Sequence, residues 1–158
     1  MFKSIQTISE KRLVGMKTRT AMRPEAIGKL WGSFMPQLKT IKARNSDELI
    51  ALQDYSTSNP ENPTTEFDMW ALAEVDSFEN QPEGLSNYRI PEGDYAIFLL
   101  KGTGVEKLMN YVMGEWLPAS NFQLDTSRPH FQVMGKAYKN NHPDSEEDFY
   151  IPVKLKTI

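Results

Sequence analysis

The 158-residue chain is expected to be α+β: two strand–helix–strand–strand modules sharing an antiparallel sheet, with both helices on one face. Three observations lead there. Val105, Leu108, Met109, Val112, Met113 and Trp116 fall at the i, i+3, i+4, i+7 spacing of one helix face. A second stripe, from Ile27 through Leu30, Trp31 and Phe34 to Ile41, follows Arg23-Pro24-Glu25. Runs such as Glu66–Val75 and Asp148–Lys156 alternate apolar and polar residues with the period of a strand. The order strand, helix, strand, strand then occurs twice, and two such halves associate with their helices covering one sheet face. One domain over 1–158 is expected, with module one at about 1–83 and module two at about 84–158.

Taken in order, Phe2–Ile8 starts as a strand, Ser9–Arg12 is a turn or bulge, and Leu13–Ala21 resumes the strand. Pro24 suits the first helical position, where its missing amide costs nothing, and Glu25 suits the positive helix end. Pro36 should kink or break that helix near Met35 by clashing with the carbonyl of Gly32. Glu48–Tyr55 reads as a strand or as a continued helix. Ser56–Thr65, with two prolines and no apolar residue, is a loop. In Glu66–Val75, Phe67, Met69, Ala71, Ala73 and Val75 form a core face, while Trp70 shares the other face with Glu66, Asp68 and Glu74. After a loop at Asp76–Glu83 and a short strand at Leu85–Ile90, Pro91-Glu92-Gly93 turns the chain.

Asp94–Lys101 is then a strand, apolar on both faces. Thr103 and Glu106 have the spacing of a capping box at the next helix start, and Leu117-Pro118 should end that helix. Ala119–Pro129 is turn-rich. Phe131–Tyr138 and Asp148–Lys156 close the chain as strands. Pro152, which has no ladder amide, places the last strand locally at an edge or a bulge.

Composition narrows the function. Net charge is −3 with no basic run, so a nucleic-acid surface is not expected. No cysteine means no disulfide framework or thiolate nucleophile, and two histidines leave no basis for a multi-histidine metal site. No signal peptide and no stretch of roughly 20 apolar residues is present, so a soluble cytoplasmic protein without cofactor is expected. No Ser–His–acid order and no phosphate loop stands out, since Gly102-Thr103-Gly104 lacks the Lys–Ser/Thr of a nucleotide site.

The runs IPEGDYAIFLLKG, WLP, RPHFQV and SEEDFYIPVK, with LWGSF and EFDMWALAEV before them, resemble the gyrase-inhibitor-like small-molecule-binding domain, also the effector-binding half of AraC-type and MerR-type regulators. The resemblance covers essentially the whole chain. It implies a pseudo-two-fold pair of modules and an aromatic ligand groove on the sheet face away from the helices. Carried over by position, it puts Trp70, Phe98, Trp116, Phe131 and Tyr150 in the aromatic pattern. The acid that many members use against cationic ligands falls on Gln132, and Asp68, Glu66, Glu74, Glu146 or Asp148 could replace it.

The residues themselves give each candidate a plainer role too. Trp31 and Trp116 fit helix packing. Trp70 and Tyr150 fit half-exposed strand faces, or the wall of a groove holding a polarised ring or an organic cation. The leading expectation is a stand-alone binder of a drug-like, aromatic or cationic effector, without a helix-turn-helix of its own, serving a regulator or sequestering its ligand. A gyrase-inhibitor-type protein-interaction module and a small hydrolase using an acid with Tyr150 are the alternatives.

Overall fold

The structure is a computed structural model and describes residues 1–56, 66–140 and 142–157. Most of the loop expected at Ser56–Thr65 therefore lies outside the described residues. The strands are β1 (Phe2–Ile8), β2 (Lys11–Thr20), β3 (Arg44–Asp54), β4 (Phe67–Val75), β5 (Ser86–Ile90), β6 (Gly93–Lys101), β7 (Phe122–Leu124), β8 (His130–Met134) and β9 (Glu146–Leu155). They form an antiparallel sheet in the order β1-β6-β9-β8-β3-β4-β2-β5, with β7 on the far end of β9. The helices lie on one face, as the apolar stripes require.

Outward from the central β3–β8 pair, the order is β3-β4-β2 on one side and β8-β9-β6 on the other, each with its helix between the matching strands. The outermost strands are exchanged. β1, which leads into β2, pairs with β6, and β5, which leads into β6, pairs with β2. The polar Ser9–Glu10 link is thus a crossing from one half to the other and not a bulge within one strand.

Helix α1 (Pro24–Phe34) has Pro24 in its first turn and gives way to a 3-10 segment at Met35–Thr40, where Pro36 cannot continue an α-helix. Its Leu30 and Phe34 pack with Val14, Met69, Ala71 and Ala73 in the first helix-side core. Burying each of those two side chains is worth about 1.5–3 kcal/mol. Helix α2 (Val105–Tyr111) places Leu108 over Ala96, Phe98 and Phe149 in the second.

Several boundaries differ from expectation. Gly104 stands at the cap of α2, so Thr103 lies one residue outside and Glu106 one position too early, and the capping box does not close. The helix also outlasts Leu117. Val112–Trp116 is a π-helical turn in which the Leu117 amide reaches back five residues to the Val112 carbonyl, and a last turn runs over Leu117–Ala119. The wider turn moves the chain past the carbonyl that the Pro118 ring would strike. β3 is a strand throughout, with an irregularity between Arg44 and Leu49. β7 is a short strand within the turn-rich stretch, and β8 stops at Met134 because Gly135–Tyr138 forms a turn.

Pro152 is inside the sheet, paired with Tyr95 of β6. On its other side β8 ends opposite Tyr150 and β7 begins opposite Val153, so the missing amide meets the gap between them.

Candidate functional site

The face turned away from the helices gathers its own apolar cluster: Leu13, Leu52, Trp70, Leu72, Tyr95 and Phe131 are among its buried members. Tyr88, Val133 and Tyr150 pack against it half-buried. Period-two alternation puts them there. Trp70 and Leu72 point opposite to Met69, Ala71 and Ala73, and Phe131 and Tyr150 are direct cross-strand partners. Tyr150 stacks on Phe131 with ring centroids 4.5 Å apart and planes 13° apart. Tyr95 meets Phe131 edge-on at 5.2 Å, and Tyr88 meets Trp70 edge-on at 5.1 Å.

The face is concave. Tyr88 sits on edge strand β5, yet its hydroxyl donates to Asp54 Oδ2 of β3 at 2.9 Å. Two strands, β2 and β4, separate them in the sheet. Flat strands would hold β5 and β3 about 14 Å apart. The sheet therefore curls, and Gly15 of β2 lets it. A Cβ there would lie 1.9 Å from the Ala71 carbonyl oxygen of β4. At the other end Arg128 lies over the Tyr95 ring, 4.7 Å from its centroid, in space left by Gly93. Burial pushes the Tyr95 hydroxyl up to about 12, opposed by Arg128, and the hydroxyl donates to the Pro129 carbonyl. Burial first, then Asp54, pushes the Tyr88 hydroxyl well above the ordinary tyrosine range, so it remains a hydrogen-bond donor.

Of the residues carried over from the sequence, the structure brings Trp70, Phe131 and Tyr150 to this face. Asp68 and Asp148 lie at its rim, each already held by lysine: Lys17 is 3.7 Å and Arg19 3.4 Å from Asp68, and Lys3 is 3.0 Å from Asp148. Glu146 lines a cavity of about 240 Å³ with Glu48, Asp148, Val133 and Leu99. Gly135 leaves room there for the Glu48 side chain.

Three candidates are elsewhere. Phe98 is fully buried under α2, because it alternates with Tyr95 and Ile97. Trp116 packs edge-on to Phe98 at 5.1 Å and stacks on Phe2 at 5.1 Å, on the helix side. Gln132 points the same way, since its neighbour Phe131 takes the concave face. Its amide exchanges two 2.9 Å hydrogen bonds with Gln53 across the central strand pair. Met134 is also on the helix side. A larger depression of about 1090 Å³ lies beside α2 near Met1 and contains none of the expected site residues.

The Gln53–Gln132 pair is buried at 2% and 8% exposure. Gln53→Leu alone strands the Gln132 amide and should cost about 1–3 kcal/mol, and adding Gln132→Leu should recover most of that. Urea melts of the two singles and the double measure this. A double mutant no better than the sum of the singles would contradict it.

Sequence reasoning missed Asp54, Tyr88, Tyr95 and Glu48. The alternation of β3 through Ile50, Leu52 and Asp54 would have placed Asp54 on the concave face had that segment been read as a strand alone.

A curled antiparallel sheet with helices outside and an aromatic concave face defines a class, and the match in sequence agrees. The chain belongs to the GyrI-like small molecule binding domain family, whose model matches residues 1–154. Among curated relatives it is 26% identical over 143 residues to the transcriptional regulator BrlR of Pseudomonas aeruginosa, covering 89% of this chain and 51% of the relative. The chain thus spans about half the length of that regulator. Among solved structures, the EcmrR C-terminal domain superposes with a TM-score of 0.73 at 12% identity over 99% of both chains. SAV2435 bound to tetraphenylphosphonium superposes with a TM-score of 0.65 at 16% identity, over 98% of this chain and 94% of that one. At these identities the superpositions speak for the fold. Among the described residues no helix is long and apolar enough to cross a membrane.

Proposed function

We propose that this chain reversibly captures a small, partly aromatic organic molecule on the concave face, lipophilic cations included, and sequesters it or reports it to a regulator in the cytoplasm. One observation carries the reading: Trp70, Phe131 and Tyr150, far apart in sequence, share that face with Tyr88 and Tyr95. Ring faces and edges at 4.5–5.2 Å from one another are a surface that accepts flat or charged aromatic guests. Trp70, Tyr95 and Phe131 are 6%, 0% and 0% exposed and form the floor. The half-buried Tyr88, Val133 and Tyr150 are the part a guest meets first. The tetraphenylphosphonium held by SAV2435 is a guest of the fitting class.

The test is calorimetric titration with tetraphenylphosphonium. Tyr150→Ala removes a half-exposed ring and should weaken binding about tenfold, equivalent to about 1.4 kcal/mol, at little cost to the fold. Unchanged affinity in that variant, or no binding by the unaltered protein to this or a panel of aromatic dyes, would overturn the reading. Trp70→Ala is a poorer probe, because emptying a buried indole site costs about 3–5 kcal/mol of stability by itself.

A further inference from the structure

We propose that Arg44, Arg12 and Arg89, aligned across the helix side of the sheet, dock an acidic, extended segment of a protein partner whose carboxylates take up the guanidinium charge. The row lies on the opposite side of the sheet from the aromatic face and is independent of capture there.

Strand register makes the row. Val75, the last residue of β4, is opposite Arg44 of β3 on one side and Arg12 of β2 on the other, and Arg12 is opposite Arg89 of β5. Residues directly opposite one another share a face, and Val75 belongs to the helix-side core, so the three arginines stand on that side. Three strand spacings of about 4.8 Å spread the row over about 14 Å.

Most of this charge is unanswered. Glu10 pairs with Arg89 at 2.8 Å. Arg12 reaches the Asp76 carbonyl oxygen at 3.1 Å, and neither Arg12 nor Arg44 has an ion pair among the described residues. Arg44 is half-buried, and its Nε is shut off from water with no hydrogen-bond acceptor among the described residues. A guanidinium drawn out of water without an acceptor costs stability, and a carboxylate, with two oxygens, is the acceptor that matches its fork. Arg12 and Arg89, directly opposite each other, also repel. A surface that is unfavourable in the free protein and is relieved by negative charge is suited to receive it.

The backbone beneath the row is held in place at a cost of its own. Ala43 (φ 58°) and Asn80 (φ 60°) are the non-glycine residues with left-handed backbone among the described residues, and both stand at this end of the sheet. Gln81, next to Asn80, bonds both the N–H and the C=O of Lys42, next to Ala43, at 3.0 and 2.8 Å. The Ala43 carbonyl accepts from the Asp76 amide at 2.9 Å. These bonds clamp the ends of β3 and β4 together, so the row is set before a partner arrives.

Spacing and surroundings choose the partner. In an extended peptide every second side chain falls on one face, about 6.7 Å apart, so acids at i and i+4 span about 13 Å and match the ends of the row. A nucleic-acid duplex would bring its dense phosphates against Glu10 and Asp76 as well, on a chain of net charge −3.

The test is fluorescence anisotropy at low salt with a labelled peptide of alternating glutamate and valine, beside a labelled short DNA duplex. Arg44→Met keeps the apolar stem. It should weaken the peptide about tenfold and raise Tm by about 2–4 °C, because a charge without a counter-ion has left the folded state. A damaged fold cannot produce that gain. Arg12→Gln should weaken the peptide about threefold to fivefold, and the double variant should lose more than either single. Lys29→Gln, an exposed position on α1, should leave the affinity within about twofold. The docking row is overturned if the unaltered protein does not bind the peptide, or if Lys29→Gln and Arg44→Met lose affinity equally. It is overturned as well by a duplex that binds as tightly as the peptide through the same arginines, or by a fall in Tm for Arg44→Met with the peptide affinity unchanged.

Discussion

Gly15→Ala should be among the most damaging single-methyl changes in the molecule, lowering stability by about 3 kcal/mol or more. The added Cβ would sit 1.9 Å from the Ala71 carbonyl oxygen, 2.9 Å from its carbon and 3.0 Å from Leu72 Cα. All three belong to the backbone of β4, which is paired on its other edge to β3, so β4 cannot yield without disturbing the central strands. The sheet would have to open at the bend that brings Tyr88 across to Asp54. Gly28→Ala is the matched control. That glycine lies within α1 with nothing within 4 Å of the added methyl, and the change should raise stability by about 0.5–1 kcal/mol through helix propensity. Thermal melts of the two variants should move in opposite directions. For a chain of this size the loss at Gly15 corresponds to a fall in Tm of about 6–12 °C. Equal small shifts for both would mean that β2 bends away from β4 at no cost, and the curl would lose its explanation.

The residues that could be read from sequence were those where one face of a strand is visibly different from the other. In β4, small and apolar residues alternate with Trp70 and acids, and that alternation alone puts Trp70 on the face opposite to Met69 and Ala71. The same holds for Tyr150 against Phe149 and Ile151 in β9. β6 is apolar on both faces, so its period could not say that Tyr95 faces the concavity and Phe98 the helix. Phe131 and Gln132 are neighbours in one strand and cannot share a face, a constraint that positional resemblance alone overlooks. The capping box failed because one glycine of difference moves a helix start beyond the reach of a side chain. The exchange of β1 and β5 between halves, and the curl that brings Tyr88 to Asp54, depend on pairings between residues tens of positions apart. No local pattern encodes them, and so none foretells the hydrogen bond between Tyr88 and Asp54.

Between pH 7 and pH 4, two buried groups should pull stability in opposite directions. His130 opens β8 opposite Gln53, 4% exposed and edge-on to Tyr55 at 5.0 Å. Burial lowers it from the ordinary 6.5 to about 4. The folded protein holds it neutral, so its stability is fully present above pH 6.5 and is lost as the pH falls toward 4. Glu147, half-buried on β9, is raised by burial from 4.5 to about 7. The folded protein holds it protonated, so its contribution is present below pH 4.5 and is lost as the pH rises through 7. At about 1.4 kcal/mol per pH unit, each accounts for about 3 kcal/mol across the interval, a little less for Glu147 because it is partly solvated. The two slopes nearly cancel in the unaltered protein and separate when either group is removed. Relative to it, His130→Gln should gain about 3 kcal/mol on going from pH 7 to pH 4, and Glu147→Gln should lose a similar amount. Urea midpoints at half-unit pH steps, taken as differences from the unaltered protein, cancel the titration of every other carboxylate. Parallel curves for all three proteins would show that His130 and Glu147 titrate as they do in the unfolded chain, and would remove burial as the force acting on both.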